Sequence, residues 1–184
     1  VKMLTDEAGV NVSLVSYYFK SKAGLLSACL NSLVIDKFRN AERLLEVPKT
    51  LEEFKLRLEI FFEEVIQHML TEPDLHKIMQ RELEDGRQES LQLFKETFGK
   101  TRQTLCAFFK NAQDRGYICK TADVEQVVAL SMTAIVNTAR NDSLTRKITG
   151  KTITDKKYRT SLIAHAVGMI LGLSLDFKKQ GKAK

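Results

Sequence analysis

The residues able to do chemistry gather in one stretch. Between Asn11 and Lys22 the chain interleaves an amide, hydroxyls, two phenols and two lysines: Asn11, Ser13, Ser16, Tyr17, Tyr18, Lys20, Ser21 and Lys22. This is not a catalytic constellation. The chain has no nucleophile elbow, Walker loop, dinucleotide fingerprint or His-Glu-x-x-His run. Hydroxyls, amides and lysines instead suit recognition of base edges and phosphates. To present them together the stretch must be a short helix. Gly9 supplies the turn before it, at a position that needs φ > 0. The helix then starts at Val12 or Ser13, with Ser13 expected as its cap. Val15 and Phe19 lie four apart and are expected to pack back on Leu4 and Ala8. Ser13, Leu14, Ser16, Tyr17 and Lys20 are left on other faces. Such a helix suits the major groove of DNA, as the second helix of a helix-turn-helix.

At these residues the chain resembles the TetR family of bacterial transcriptional regulators. The matching elements are Glu7-Ala8-Gly9-Val10, then Tyr17-Tyr18-Phe19-Lys20-Ser21-Lys22, then Leu25-Leu26. Leu14 and Ser16 stand where many members carry Thr and Tyr. The resemblance covers about the first thirty residues. It implies an earlier helix before Val1, so an N-terminally truncated head is expected. It also implies double-stranded DNA with a palindromic operator as partner, a small-molecule effector, a homodimer and a cytoplasmic location. The DNA-binding candidates are Lys2, Asn11, Val12, Ser13, Leu14, Ser16, Tyr17, Tyr18, Lys20 and Lys22. In the family the Lys at the position of Lys22 touches the DNA backbone, at a helix start whose amides also favour phosphate.

The 184 residues suffice for one large or two small domains. Two Pro, nine Gly and regular apolar spacing favour an all-α chain. Three widely spaced cysteines, Cys29, Cys106 and Cys119, read as reduced thiols with no zinc site. No cofactor and no metal are expected. The net charge of +6 is unevenly spread: +1 over residues 1–46, −3 over 47–139 and +8 over 140–184. The motif, not the charge, therefore carries the DNA reading. Lys178, Lys179, Lys182 and Lys184 read as a solvated tail.

Residues 1–46 form the expected head and connecting helix. The latter runs from Leu25 to about Leu45 through Leu26, Leu30, Leu33, Val34, Phe38 and Ala41. Val47-Pro48-Lys49-Thr50 marks the boundary, and residues 47–184 form a helical ligand-binding and dimerisation body. Thr50 and Glu53 make a capping-box pattern. Helices are predicted from Leu51 to Met69, Leu75 to Asp85, Ser90 to Arg115 and Val124 to Ala139, with Gly86 and Gly116 as stops. Asn141 to Asp155 reads as a loop, followed by a helix from Leu162 to Leu175. That last run of fourteen residues is too short to span a membrane.

The body's functional feature would be a pocket between helices. Its expected lining is Phe62, Ile66, Met69, Met79, Phe94, Phe98, Arg102 and Phe109, with Arg102 partly buried beside an acidic partner. His68 and His76 are expected at the surface or pocket rim. Glu63-Glu64 and Glu82/Glu84/Asp85 read as solvated faces. Val127, Ser131, Ile135, Ala164, Gly168, Leu171, Gly172 and Leu175 are expected to face a second subunit, because Ala164, Gly168 and Gly172 form a small-residue stripe. His165 is expected to be hydrogen-bonded at that interface. A ligand-responsive repressor follows from these readings. The alternative is a helical small-molecule-binding protein that does not contact DNA.

Overall fold

The computed structural model describes residues 1–29, 43–86 and 88–172. All regular structure among them is α-helical. None of these helices is long and apolar enough to cross a membrane.

Helices α1 (Lys2–Glu7) and α2 (Val12–Phe19) are joined by the Gly9 turn. Gly9 has φ +64°. Its N–H donates to the Asp6 carbonyl, and the Val10 N–H donates to the Thr5 carbonyl at 2.9 Å. Together these make a Schellman ending, which needs a left-handed residue at that place. A Cβ on Gly9 would meet nothing within 4 Å, so backbone geometry alone asks for Gly. The expected packing is corrected here: Thr5 is buried, its hydroxyl donating to the Lys2 carbonyl. Leu4, about 100° away around the helix, is exposed, as is Ala8. Val15 is buried and Phe19 half-buried, as expected. The cap of α2 is Asn11 rather than Ser13. The Asn11 Oδ1 accepts from the Ser13 N–H at 2.9 Å and from the Ser13 hydroxyl.

Residues 22–29 are helical (α3) and start at Ser21, whose Oγ accepts from the Gly24 N–H at 3.0 Å. The expected continuation through Leu30, Leu33, Val34, Phe38 and Ala41 lies outside the described residues. Residues 43–44 are helical again, and Leu45 is buried in the main core.

The body comprises α4 (Leu51–Thr71), α5 (Pro73–Glu84), α6 (Gln88–Asp114), α7 (Val124–Arg140), α8 (Asp142–Thr149) and α9 (Lys156–Gly172). Local signals explain most boundaries. Thr50 Oγ1 accepts from the Glu53 N–H, and Glu53 reaches back to the Lys49 N–H at 2.7 Å. Pro73 opens α5 where its missing N–H costs nothing. Asp123 caps α7 through the Gln126 N–H. The Lys49 N–H and then the Arg57 guanidinium hold the Glu53 carboxyl below its ordinary range. That contribution to stability is present above the unfolded carboxyl's range and is lost as pH falls through the folded value. Two outcomes follow in thermal melts. Thr50→Ala costs about 1 kcal/mol at neutral pH. Glu53→Gln flattens the acid limb of the stability curve.

Helix α4 packs on α7 and α9, and α7 packs on α6 and α9. The core is built on Phe54, Leu58, Phe61, Phe62 and Ile66 of α4. Facing them are Leu105, Phe108, Phe109 and Ala112 of α6, Val128 and Ile135 of α7, and Ile163, Val167 and Ile170 of α9. Phe54 stacks on Phe108 at 5.0 Å and meets Phe109 edge-on at 5.8 Å. A smaller cluster joins Leu75 and Phe94 with Leu26, Met79 and Phe98, so α3 touches the body at α5 and α6.

Two boundaries differ from expectation. Residues 142–149 are a helix, not a loop, although none of them is buried. Charge and a C-terminal cap explain it. Asp142 stands at the N-terminus, Arg146 and Lys147 in the last turn, and Gly150 closes it at φ +74°. Asp142 also anchors the next turn, accepting from the Thr152 hydroxyl at 2.7 Å and the Ile153 N–H at 2.8 Å. Ile153 is thereby driven fully into the core. Helix α9 starts six residues earlier than expected, at Lys156, because Asp155 accepts from the Tyr158 N–H and the buried Arg159 finds an acidic partner. Arg159 Nε donates to both carboxylate oxygens of Glu63 at 2.8 and 3.0 Å, and its Nη1 donates to the Ile153 carbonyl. Glu63 is therefore not a solvated face.

Candidate functional sites

A cavity of about 980 Å³ lies among α4, α5, α6 and α7. Five of the eight expected residues line it: Met69, Met79, Phe94, Phe98 and Arg102. Phe62, Ile66 and Phe109 do not. They are fully buried in the core instead. The α4 stripe that does line it runs one position earlier, through Phe61, Val65, His68 and Met69. Leu83, Leu105, Val128, Met132 and Val136 complete an apolar wall. Three methionines among these residues make the wall adaptable in shape. Phe94 and Phe98 lie parallel, with ring centroids 5.9 Å apart. His68 and His76 both line the cavity, their rings 5.0 Å apart and edge to face.

Arg102 is exposed rather than partly buried, at the cavity's edge. Its acidic partner is Glu125, in the first turn of α7. That carboxylate raises the guanidinium's pKa further. Cys106 Sγ donates to the same Glu125 at 3.6 Å. Burial first, and then the Glu125 charge, push the Cys106 thiol up. Cys106 should therefore alkylate with iodoacetamide at neutral pH several-fold more slowly than a thiol in an unstructured peptide. Peptide mapping by mass spectrometry reads this, and an equal rate would contradict it. Among the described residues no group of three His, Cys, Asp or Glu is placed to hold a metal ion.

The second site is the surface of α2. Lys2, Asn11, Val12, Ser13, Leu14, Ser16, Tyr17, Tyr18, Lys20 and Lys22 are all exposed. Ser13, Leu14 and Tyr17 lie opposite the Val15/Phe19 side by helical geometry. Tyr17 and Tyr18 are 78 % and 70 % exposed and meet edge to face at 5.1 Å. Lys20 ends α2 at φ +63°, an unusual conformation for a side chain with a Cβ. Lys22 reaches α5, where its Nζ lies 2.8 Å from the largely buried carboxylate of Glu82. Glu82 is thus another acid misread as solvated. Its burial between α5 and α3 is a long-range effect with no local sign in the sequence.

The third surface is the outer side of α7 and α9, which pack together. Ala164, Gly168 and Gly172 are exposed there, with Met169 and His165 beside them. His165 Nδ1 lies 2.6 Å from the Ser161 carbonyl. Of the other residues expected there, Ser131 and Ile135 of α7 are buried within the chain, whereas Val127 of α7 and Leu171 of α9 are half-buried against its core. The register of α7 instead exposes Leu130, Thr133, Ala134 and Asn137. Leu175 and the four C-terminal lysines lie outside the described residues.

No protein-family model matches the chain, and no similar curated protein was found.

Proposed function

We propose that this chain is a ligand-responsive, DNA-binding transcriptional regulator of the TetR type, working as a homodimer. The observation that carries the reading is the α1–Gly9–α2 unit. A Schellman turn and an Asn11 cap set α2 so that Ser13, Leu14 and Tyr17 face outward, away from buried Val15. Two such units, about one DNA turn apart, would read the half-sites of a palindrome. The exposed small-residue stripe of α9 supports pairing of two copies, since Ala164, Gly168 and Gly172 let helices approach closely. The cavity supports a small effector with a mostly apolar body.

Helix α5 connects these parts. Met79, Gln80 and Leu83 face the cavity, and Glu82 of the same helix holds Lys22. An effector that shifts α5 therefore acts on the residue that follows the candidate recognition helix. Release from DNA then needs only that the effector bind better to the shifted state. Lys22 cannot hold Glu82 and a phosphate equally well. Glu82→Gln should therefore tighten DNA binding several-fold and steepen the salt dependence by about one phosphate contact. An unchanged salt slope in anisotropy titrations would remove Lys22 from the DNA surface.

The direct test of the reading is selection from a random duplex pool. Enrichment of a palindrome with half-sites about one turn apart is expected. No enrichment would favour the second reading, a helical small-molecule carrier. That reading draws on the engagement of Lys22 by Glu82 and the near-neutral charge of residues 1–46.

A further inference from the structure

We infer that the cavity takes an amphipathic anion, with its charged head at Gly99 of α6 between Lys95 and Arg102. The inference rests on the cavity being a ligand site. Lys95, Gly99 and Arg102 all line the space. At spacings of four and three residues they form one stripe on α6, with the two cations about 10 Å apart along the axis. Gly99 is the informative residue. It sits in the middle of a 27-residue helix, where Gly is the poorest non-proline former. Neither a left-handed backbone nor a close neighbour among the described residues explains it: a Cβ there would meet none of them within 4 Å. The missing side chain leaves a dent in the cavity wall, at which a ligand can come close to the helix.

The charges around the dent set the sign of the head group. Arg102 is held by Glu125 through one terminal nitrogen. A guanidinium carries five N–H donors, so it can take a second carboxylate or sulfonate. Of the acids lining the cavity, Glu63 is tied to Arg159. Glu64, on α4, is the acid that would favour a cation instead. The rest of the ligand would lie along Phe98, Met79 and Met132, which ask for an alkyl or aryl body.

The test uses the whole protein and the neutral dye N-phenyl-1-naphthylamine as probe. Dodecanoate, dodecanol and dodecyltrimethylammonium, all below their aggregation limits, compete for it. Dodecanoate should displace the dye at about tenfold lower concentration than the other two. Arg102→Gln and Lys95→Gln should each erase about threefold or more of that preference and leave dodecanol unchanged. Gly99→Leu should weaken all three competitors, and Gly99→Ala serves as the folding control by circular dichroism. Equal displacement by the three, or preference for the cation, would overturn the anion assignment while the cavity reading stands. Failure of the dye and of all three competitors to bind would overturn the cavity reading and this inference with it.

Discussion

Replacing Arg159 by Met lowers the unfolding free energy by about 3 kcal/mol, as expected for removing one partner of a buried ion pair. The guanidinium is 8 % exposed and holds α9 to α4 through both Glu63 oxygens, and to the α8–α9 turn through the Ile153 carbonyl. Met fills much of the volume, so a cavity contributes little to the loss. What is lost is hydrogen bonding, and what remains is a carboxylate and a carbonyl short of their donor. Glu63 is 36 % exposed and can partly rehydrate, which places the cost near the lower end of the range for such pairs. Urea unfolding of Arg159→Met, Glu63→Gln and the double variant tests this. The double variant should be less destabilised than the sum of the two. A loss below about 1 kcal/mol for Arg159→Met would show that the pair is solvated and does not lock α9.

The second large effect is expected at Gly24. A Cβ there would stand 1.9 Å from the Phe19 carbonyl oxygen and 3.0 Å from its carbon. Both are backbone atoms, so the side chain cannot be accommodated by a rotamer change. The turn is already tight, with Lys20 at φ +63° and the Ser21 N–H donating to the same Phe19 carbonyl at 2.7 Å. Gly24→Ala must therefore move α3 relative to α2. If α2 reads DNA as proposed, operator affinity should fall about 100-fold, equivalent to about 2.7 kcal/mol. Limited trypsin digestion gives a readout that does not depend on DNA: cleavage after Lys20 and Lys22 should accelerate markedly. The thermal transition of the body should move little, because its Phe54-centred core does not include Gly24. Wild-type cleavage rates would contradict the packing at this turn.

The sequence makes some of this molecule legible and hides the rest for physical reasons. Helix ends are local events. Gly9, Thr50, Pro73, Gly86, Gly116 and Asp123 announce themselves because the groups they satisfy lie within four residues. The choice between core and cavity is not local. Phe61 and Phe62, or Val65 and Ile66, belong to the same broad apolar stripe. Which of each pair meets empty space depends on where α5 and α7 sit against α4. Charges mislead for the same reason. Glu63 and Glu82 look solvated along the chain, yet their partners lie 96 and 60 residues away. Helix α8 was hidden because a helix held by a C-terminal cap and charge has no buried stripe to reveal it. The exposed side of α2 was legible, since a short helix with one buried side is encoded within a dozen residues, but its cap, Asn11 rather than Ser13, and its seat on Thr5's side of α1 were not.

We propose that the α2 surface binds DNA sequence-selectively. A fluorescence-anisotropy titration of the protein against DNA from upstream of its own gene tests it most directly. Scrambled duplex serves as competitor, and two salt concentrations are used. Binding that survives the competitor, weakens at the higher salt and is lost in Tyr17→Ala is the predicted result. Binding no better than to scrambled DNA at either salt, unchanged by Tyr17→Ala, would contradict it.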